Sequence, residues 1–273
     1  GLTSPITYQE YGDDLIKVLE MRKRVGMPAK SLYTIGQRAG NSSDPKQLQD
    51  LQQKVKQWIE LAKEYGYEDV YIYGFDEAKG DEMASQRAAW KAVRDAGAKT
   101  FAAGYQGSFE AVGDLQDLIV LAYKPDPREA EKYHSVGHQI LSYANPQCGP
   151  EVPETFRRNY GLLLWKSNFD GAMDYAYHRG FGHVWNDFDD VRYRDHVMAY
   201  PTVDGVIDTL QWEGYREAVD DTRYLATLQK KIIEAPKARQ QEAKAAEKWL
   251  EDLDIDGDLY VIRKKMIEWI LKL

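Results

Sequence analysis

The chain has 273 residues, 43% of them hydrophobic, and a formal net charge of −8. That is long enough for one large α/β domain or two smaller ones. The charge argues against nucleic acid, which needs a basic surface. No apolar stretch approaches the roughly 18 residues of a membrane span.

A lone Cys148 excludes an intrachain disulfide framework, and no signal-peptide pattern is visible, so the compartment stays open. Tyr (19) and Trp (7) supply most of the 12% aromatic content. Such side chains fill cores, but they also line carbohydrate sites, where flat faces stack on sugar rings.

In chain order, an amphipathic segment at 11–24 precedes a first apolar run, "SLYTIG" (31–36). Further strand-like runs are "DVYIYGF" (69–75), "KTFAAGY" (99–105), "DLIVLAY" (117–123), "QILSYAN" (139–145) and "GAMDYAYH" (171–178). Helix-periodic segments separate them, among them 45–66 and 81–97. Residues 204–232 read as a long amphipathic helix. Regular strand–helix alternation implies a parallel sheet with helical crossovers.

About six such units are visible, against the eight of a complete (β/α)8 TIM barrel. The expected fold is therefore an α/β barrel over 1–233, complete or lacking its first strands. Residues 234–273 read as a C-terminal helical hairpin, packed on the barrel or offered to a partner chain. A barrel short of strands leaves open sheet edges, which a homo-oligomer would cover.

In "DVYIYGFDEA" (69–78) an apolar strand runs straight into Asp76 and Glu77. Parallel barrels place active sites at the C-terminal ends of their strands, where acids are tolerated because the chain has left the core. Two carboxyls are the basic kit of glycoside cleavage, and crowding raises the proton affinity of one. Neighbours on a strand point to opposite faces, so both acids reach one substrate only if the chain turns directly after the strand. The plain alternative is a solvated acidic loop, or Asp76 capping the next helix.

Tyr105, Tyr123, Asn145, Tyr177 and His178 fall at other strand ends. "HVWNDFDD" (183–190) adds Trp185, to stack on a sugar ring, and Asn186, to bond hydroxyls; a loop helix with a half-buried Trp is the plain alternative.

"YIYGFDEA", "WKSNFDGAMDYAYH" (165–178), then "VWND", "AYP" and "LQWEGYREAVDDTRYLATLQ" (210–229) follow in an order similar to family 123 of the glycoside hydrolases, the β-N-acetylgalactosaminidases. The resemblance covers roughly 70–230. It implies cleavage of a β-linked N-acetylhexosaminide by substrate assistance, retaining configuration. Glu77 would be the general acid/base, while Asp76 orients the 2-acetamido group whose carbonyl oxygen attacks the anomeric carbon. By strand order Tyr123 would steady that oxygen. The remaining strand-end and loop residues, Tyr105, Asn145, Tyr177, Trp185 and Asn186, would bind substrate.

Ala78 stands where the family usually has Pro, and the family's earlier strands and N-terminal β-rich domain are not seen. Two rivals stay open. One is a β-glycosidase with a separate carboxylate nucleophile, such as Asp174; the other is a silent carbohydrate-binding or assembly protein.

No metal or cofactor is expected. His134 and His138 are four apart on a predicted helix but have no third ligand. "DLDIDGD" (252–258) nearly spells a calcium loop, yet Arg263 takes the position of the bidentate Glu, so a helix-joining turn is expected. Glu213 is expected to pair with Arg216 along its helix.

Overall fold

The computed structural model describes residues 2–149, 151–192 and 194–273. The chain is α/β, with a six-stranded parallel sheet and a C-terminal helical region. It forms two compact units, Gly1–Ala122 with Asp126–Leu141, and Tyr123–Pro125 with Ser142–Leu273.

The first unit alternates in the expected way. Its elements are α1 (Asp13–Arg24), β1 (Ser31–Arg38), α2 (Pro45–Glu64), β2 (Asp69–Tyr73), α3 (Gly80–Ser85), α4 (Arg87–Asp95), β3 (Lys99–Gly104), α5 (Ser108–Val112), β4 (Leu118–Ala122), α6 (Pro127–Ser135) and the start of β5 (Gln139–Tyr143). β1 to β4 pair in parallel, each with the next. β4 is buried along its whole length and β2 along all but its first residue. Strands covered on both faces read as continuous apolar runs, not as alternation, and these do.

Helix α2 shows how such a crossover is specified. Asp44 caps it by accepting from the N–H groups of Lys46 and Gln47 (3.0 and 2.9 Å), and Pro45 fills its first turn. That cap contributes about 1 kcal/mol. Leu51, Val55, Trp58, Leu61 and Ala62 then bury one face, the spacing of an amphipathic helix.

The segment predicted as one helix over 81–97 is two, divided at Gln86. The Gln86 side chain is fully buried and accepts from Phe75 N–H (2.6 Å), so this residue faces inward at the break. α6 ends at Ser135, which puts His138 beyond the helix and off the face of His134. His138 is buried, with Nδ1 2.8 Å from Gly113 O.

The outer edge of β1 is bridged by the N-terminal segment. Thr7 N–H donates to Tyr33 O, and Thr7 O accepts from Ile35 N–H, both at 2.9 Å. Gly36 makes the approach feasible: a Cβ there would lie 1.8 Å from Gln9 O.

The second unit continues through α7 (Pro153–Asn159), α8 (Leu162–Lys166), β6 (Gly171–Ala172), β7 (His178–Arg179), β8 (His196–Val197), β9 (Ala199–Pro201) and β10 (Val206–Asp208). α9 (Leu210–Ile233), α10 (Gln240–Glu251) and α11 (Leu259–Lys272) complete it. In the sheet, order follows chain order from β1 to β6, while β7–β8 and β9–β10 are short antiparallel ribbons.

Two expectations are corrected here. The strand predicted over 171–178 pairs only at Gly171–Ala172, with one further bond from Met173 N–H to Ser142 O. Beyond it the Asp174 carboxylate, not a backbone carbonyl, takes the Ala144 N–H (3.1 Å), and the ladder stops. The helix predicted from 204 starts at Leu210, because Thr209 caps it through Trp212 N–H and residues 206–208 pair with β9.

α9, α10 and α11 share a core of Leu225, Leu228, Ala246, Leu250, Ile262 and Met266. Their anchor is a buried ion network. Arg157 Nε lies 2.7 Å from Asp221 Oδ2 and Arg263 Nε 2.5 Å from Asp221 Oδ1. The "DLDIDGD" stretch joins α10 to α11: Asp254 turns the chain through Asp256 N–H, and Asp258 caps α11 through the Tyr260 and Val261 N–H groups. Glu213 pairs with Arg216 at 2.8 Å.

Candidate functional site

In the first unit the chain does turn directly after β2. Gly74 packs against the Trp90 ring so closely that a Cβ would lie 2.4 Å from it, which fixes glycine at the strand exit. Asp76 and Glu77 follow in a turn, both exposed. Glu77 has φ +54, a left-handed conformation that non-glycine residues adopt at a cost and that concentrates at functional sites. Its N–H still donates to Ala103 O (3.1 Å), tying the turn to the end of β3.

Each acid of the pair is held by its own tyrosine. The Tyr73 hydroxyl donates to Asp76 Oδ1 (2.5 Å) and accepts from Ala103 N–H (3.1 Å). Burial, and then the adjacent Asp76, push this phenol far above its ordinary pKa, so it stays protonated as a fixed donor. The Tyr105 hydroxyl donates to Glu77 Oε2. The ammonium of Lys79 sits 4.0 Å from the centre of the Tyr105 ring, a cation–π contact that braces the ring from the side. Asp76 does not cap α3, whose N-cap is Lys79.

No family model and no curated protein matches this chain. The remaining site residues are therefore placed by their surroundings alone. Tyr123 has φ +72 directly after β4 and is 63% exposed; its N–H donates to Tyr143 O (3.1 Å). Tyr177 sits edge-on to Trp212 at 5.5 Å. Trp185 is 51% exposed and stacks on Tyr200 at 5.3 Å.

Asn186 uses its side-chain oxygen to accept from Phe188 N–H (3.3 Å). The acids around it are also committed: Asp187 binds Asp195 N–H and pairs with Arg194, while Asp189 binds His183 N–H. Residues 183–190 form a self-bonded loop, with no helix.

Asn145 lies at the end of β5 and is only 7% exposed. Its backbone N–H donates to the Tyr160 hydroxyl (3.0 Å) and its Oδ1 accepts from Asn159 Nδ2 (3.4 Å), while its own Nδ2 has no partner. Next to it, Ala144 has φ +49. Glu77, Tyr123 and Ala144 thus give β2, β4 and β5 each a left-handed residue just past its end.

Asp174 is the second acid of interest. Its Oδ1 accepts from Ala144 N–H; its Oδ2 is buried without a partner. Burial pushes this carboxyl up to about 7, against smaller lowering effects from the Ala144 N–H, the Tyr160 hydroxyl and the Tyr175 N–H. Leaving a buried polar atom unsatisfied costs about 1–3 kcal/mol, which a folded chain retains only at a few places.

Three of these features lay outside the sequence reading. The Tyr73–Asp76 bond had a signal in the three-residue spacing across the strand exit. Gln86 and the surroundings of Asp174 had none, since they depend on chain folding back from a distance.

Proposed function

We propose that the chain is a glycoside hydrolase acting on a β-linked N-acetylhexosaminide, with Glu77 as general acid/base and Asp76 holding the 2-acetamido nitrogen. Its sheet is read as part of a (β/α) barrel, and a second copy of the chain as cover for the remaining sheet edge. One observation carries the reading: two adjacent carboxyls, at a strained turn directly after a parallel strand, are each fixed by a separate tyrosine hydroxyl. A solvated acidic loop needs no such fixing. Catalysis needs it, because side chains must be held near the productive geometry before substrate arrives.

In this mechanism Glu77 gives its proton to the leaving oxygen while the substrate's acetamido oxygen closes on the anomeric carbon. The resulting oxazolinium carries positive charge at nitrogen, and Asp76 stabilises it. Water, deprotonated by Glu77, then opens the ring with net retention. No enzyme nucleophile is required, which places the reaction among the exceptions to the two-carboxylate rule.

The rival with Asp174 as nucleophile is weaker, because a nucleophile must be ionised and a buried acid near 7 is largely neutral below that pH.

The test is a pair of aryl β-glycosides differing only at C2. The 2-acetamido substrate should turn over and the 2-hydroxy one should not. Equal turnover would end the assisted mechanism, and cleavage of neither would favour a carbohydrate-binding protein.

A further inference from the structure

Six buried side-chain atoms among the described residues have no hydrogen-bond partner, and three of them belong to Ser142, Asn145 and Asp174, at the end of β5 and just past β6. Buried polar atoms are normally paired, so this grouping calls for a common explanation. We propose that this end of the second unit is a ligand site, in which the unpartnered Oδ2 of Asp174 and Nδ2 of Asn145 bond an oxygen of a sugar, a hydroxyl or an amide carbonyl. The sugar class rests on the hydrolase reading above; the site itself does not.

The donors follow from the bonding. Asp174 Oδ1 is occupied by the Ala144 N–H, so a proton on the carboxyl belongs on Oδ2, the oxygen with nothing bound to it. The Tyr160 hydroxyl and the Tyr175 N–H lie close enough to lower the acid's pKa, but neither is within hydrogen-bonding geometry of Oδ2, and the Tyr160 proton goes to Pro146 O (2.5 Å). Asn145 Oδ1 is occupied by Asn159, which leaves the Nδ2 hydrogens unspent. With Asp174 neutral, both free groups are donors, and a ligand must bring an acceptor.

The titratable groups facing the acid do not alter this. Cys148, Tyr160 and Tyr215 are all held neutral by burial, and their ionisation is opposed further by Asp174. Among the described residues Asp174 forms no ion pair, in contrast to Asp221 of the same unit.

A ligand that accepts from Oδ2–H binds only the protonated form, so by linkage it must raise the acid's apparent pKa. The experiment is carboxyl NMR of the full chain labelled at aspartate, from pH 5 to 9, with Asp174→Asn to assign the resonance. The probe is free N-acetylgalactosamine.

The expected result is titration near neutral pH without sugar and a clear upward shift with it. Sugar affinity should fall about tenfold per pH unit above the free acid's midpoint. Asp174→Asn, a permanently neutral donor, should bind with no pH dependence, and Asn145→Ala should bind about tenfold more weakly while keeping the free titration.

A titration that sugar leaves unmoved means a buried water only and overturns the proposal, as does equal affinity at pH 5 and 9. Should Asp174→Asn fail to fold, the wild-type shift and Asn145→Ala still decide. Cleavage is followed in a separate assay. Binding without cleavage removes the hydrolase reading and keeps this site, and cleavage with Asp174 unmoved does the reverse.

Discussion

The acids after β2 and the acid after β6 solve opposite problems with the same side-chain chemistry. Asp76 and Glu77 are exposed, and tyrosine hydroxyls hold them where water would otherwise let them swing. Asp174 is half-buried as a residue, with one carboxyl oxygen on a backbone N–H and the other buried without a partner. Exposed and tethered, an acid gains orientation. Half-satisfied and out of water, it holds its proton up to about pH 7. Position at a strand end alone does not decide how a carboxyl is held; its burial and the donors around it do.

That contrast is open to direct measurement. The largest effect is expected at Glu77. Glu77→Gln should slow substrates with poor leaving groups by about 10²–10⁴-fold, yet leave the thermal midpoint nearly unchanged because the residue is exposed. A large loss of stability in a melt would make the pair structural and erase the contrast.

Asp221→Ala should act in the opposite way. It strips a buried acid from Arg157 and Arg263, and breaking a buried pair costs about 3–5 kcal/mol, readable by urea denaturation. If the cost is under 1 kcal/mol, ion pairing is not what anchors α9 to α11.

Asp174 should show itself through pH. Its folded pKa lies above its unfolded one, near 3.8 against about 7, so the unfolded chain binds fewer protons between these values. Stability should therefore decline as pH rises from about 4 through 7 and level off beyond. For Asp174 the decline is on the order of 4 kcal/mol at most. Asp174→Asn should flatten that part of the curve in melts across the same range. An unchanged slope would show that the acid is not shielded in solution.

The smallest effect is expected at Tyr73→Phe, which removes only the hydroxyl that holds Asp76. Turnover should drop about fivefold, consistent with a net hydrogen-bond worth of about 1 kcal/mol, with KM little changed. A drop as large as that of Glu77→Gln would mean that Tyr73 takes part in the chemistry.

The first unit was legible because its strands are apolar throughout and its helices carry their own caps. Asp44–Pro45 and Asp126–Pro127 mark helix starts from sequence alone. The acid pair was legible too, as polar residues where a buried run ends.

Residues 171–178 misled for a physical reason. Their aromatic spacing suits a strand, but the side chain of Asp174 captures the backbone donor that would have continued the ladder. Among its neighbours are Cys148, Tyr160 and Tyr215, near enough for its charge to oppose their ionisation, and they lie 14 to 41 positions away in the chain. A periodicity argument sees only neighbours, so an acid made neutral by distant residues looks like any other Asp.

The strip around Thr7, laid along β1 and seated by the missing side chain of Gly36, acts as a guard against templating. A strand rim left bare invites the same rim of another molecule. A protease cutting between Thr7 and Asp13 would leave α1 and every sheet strand intact, yet convert a well-behaved molecule into a seed for strand-by-strand growth.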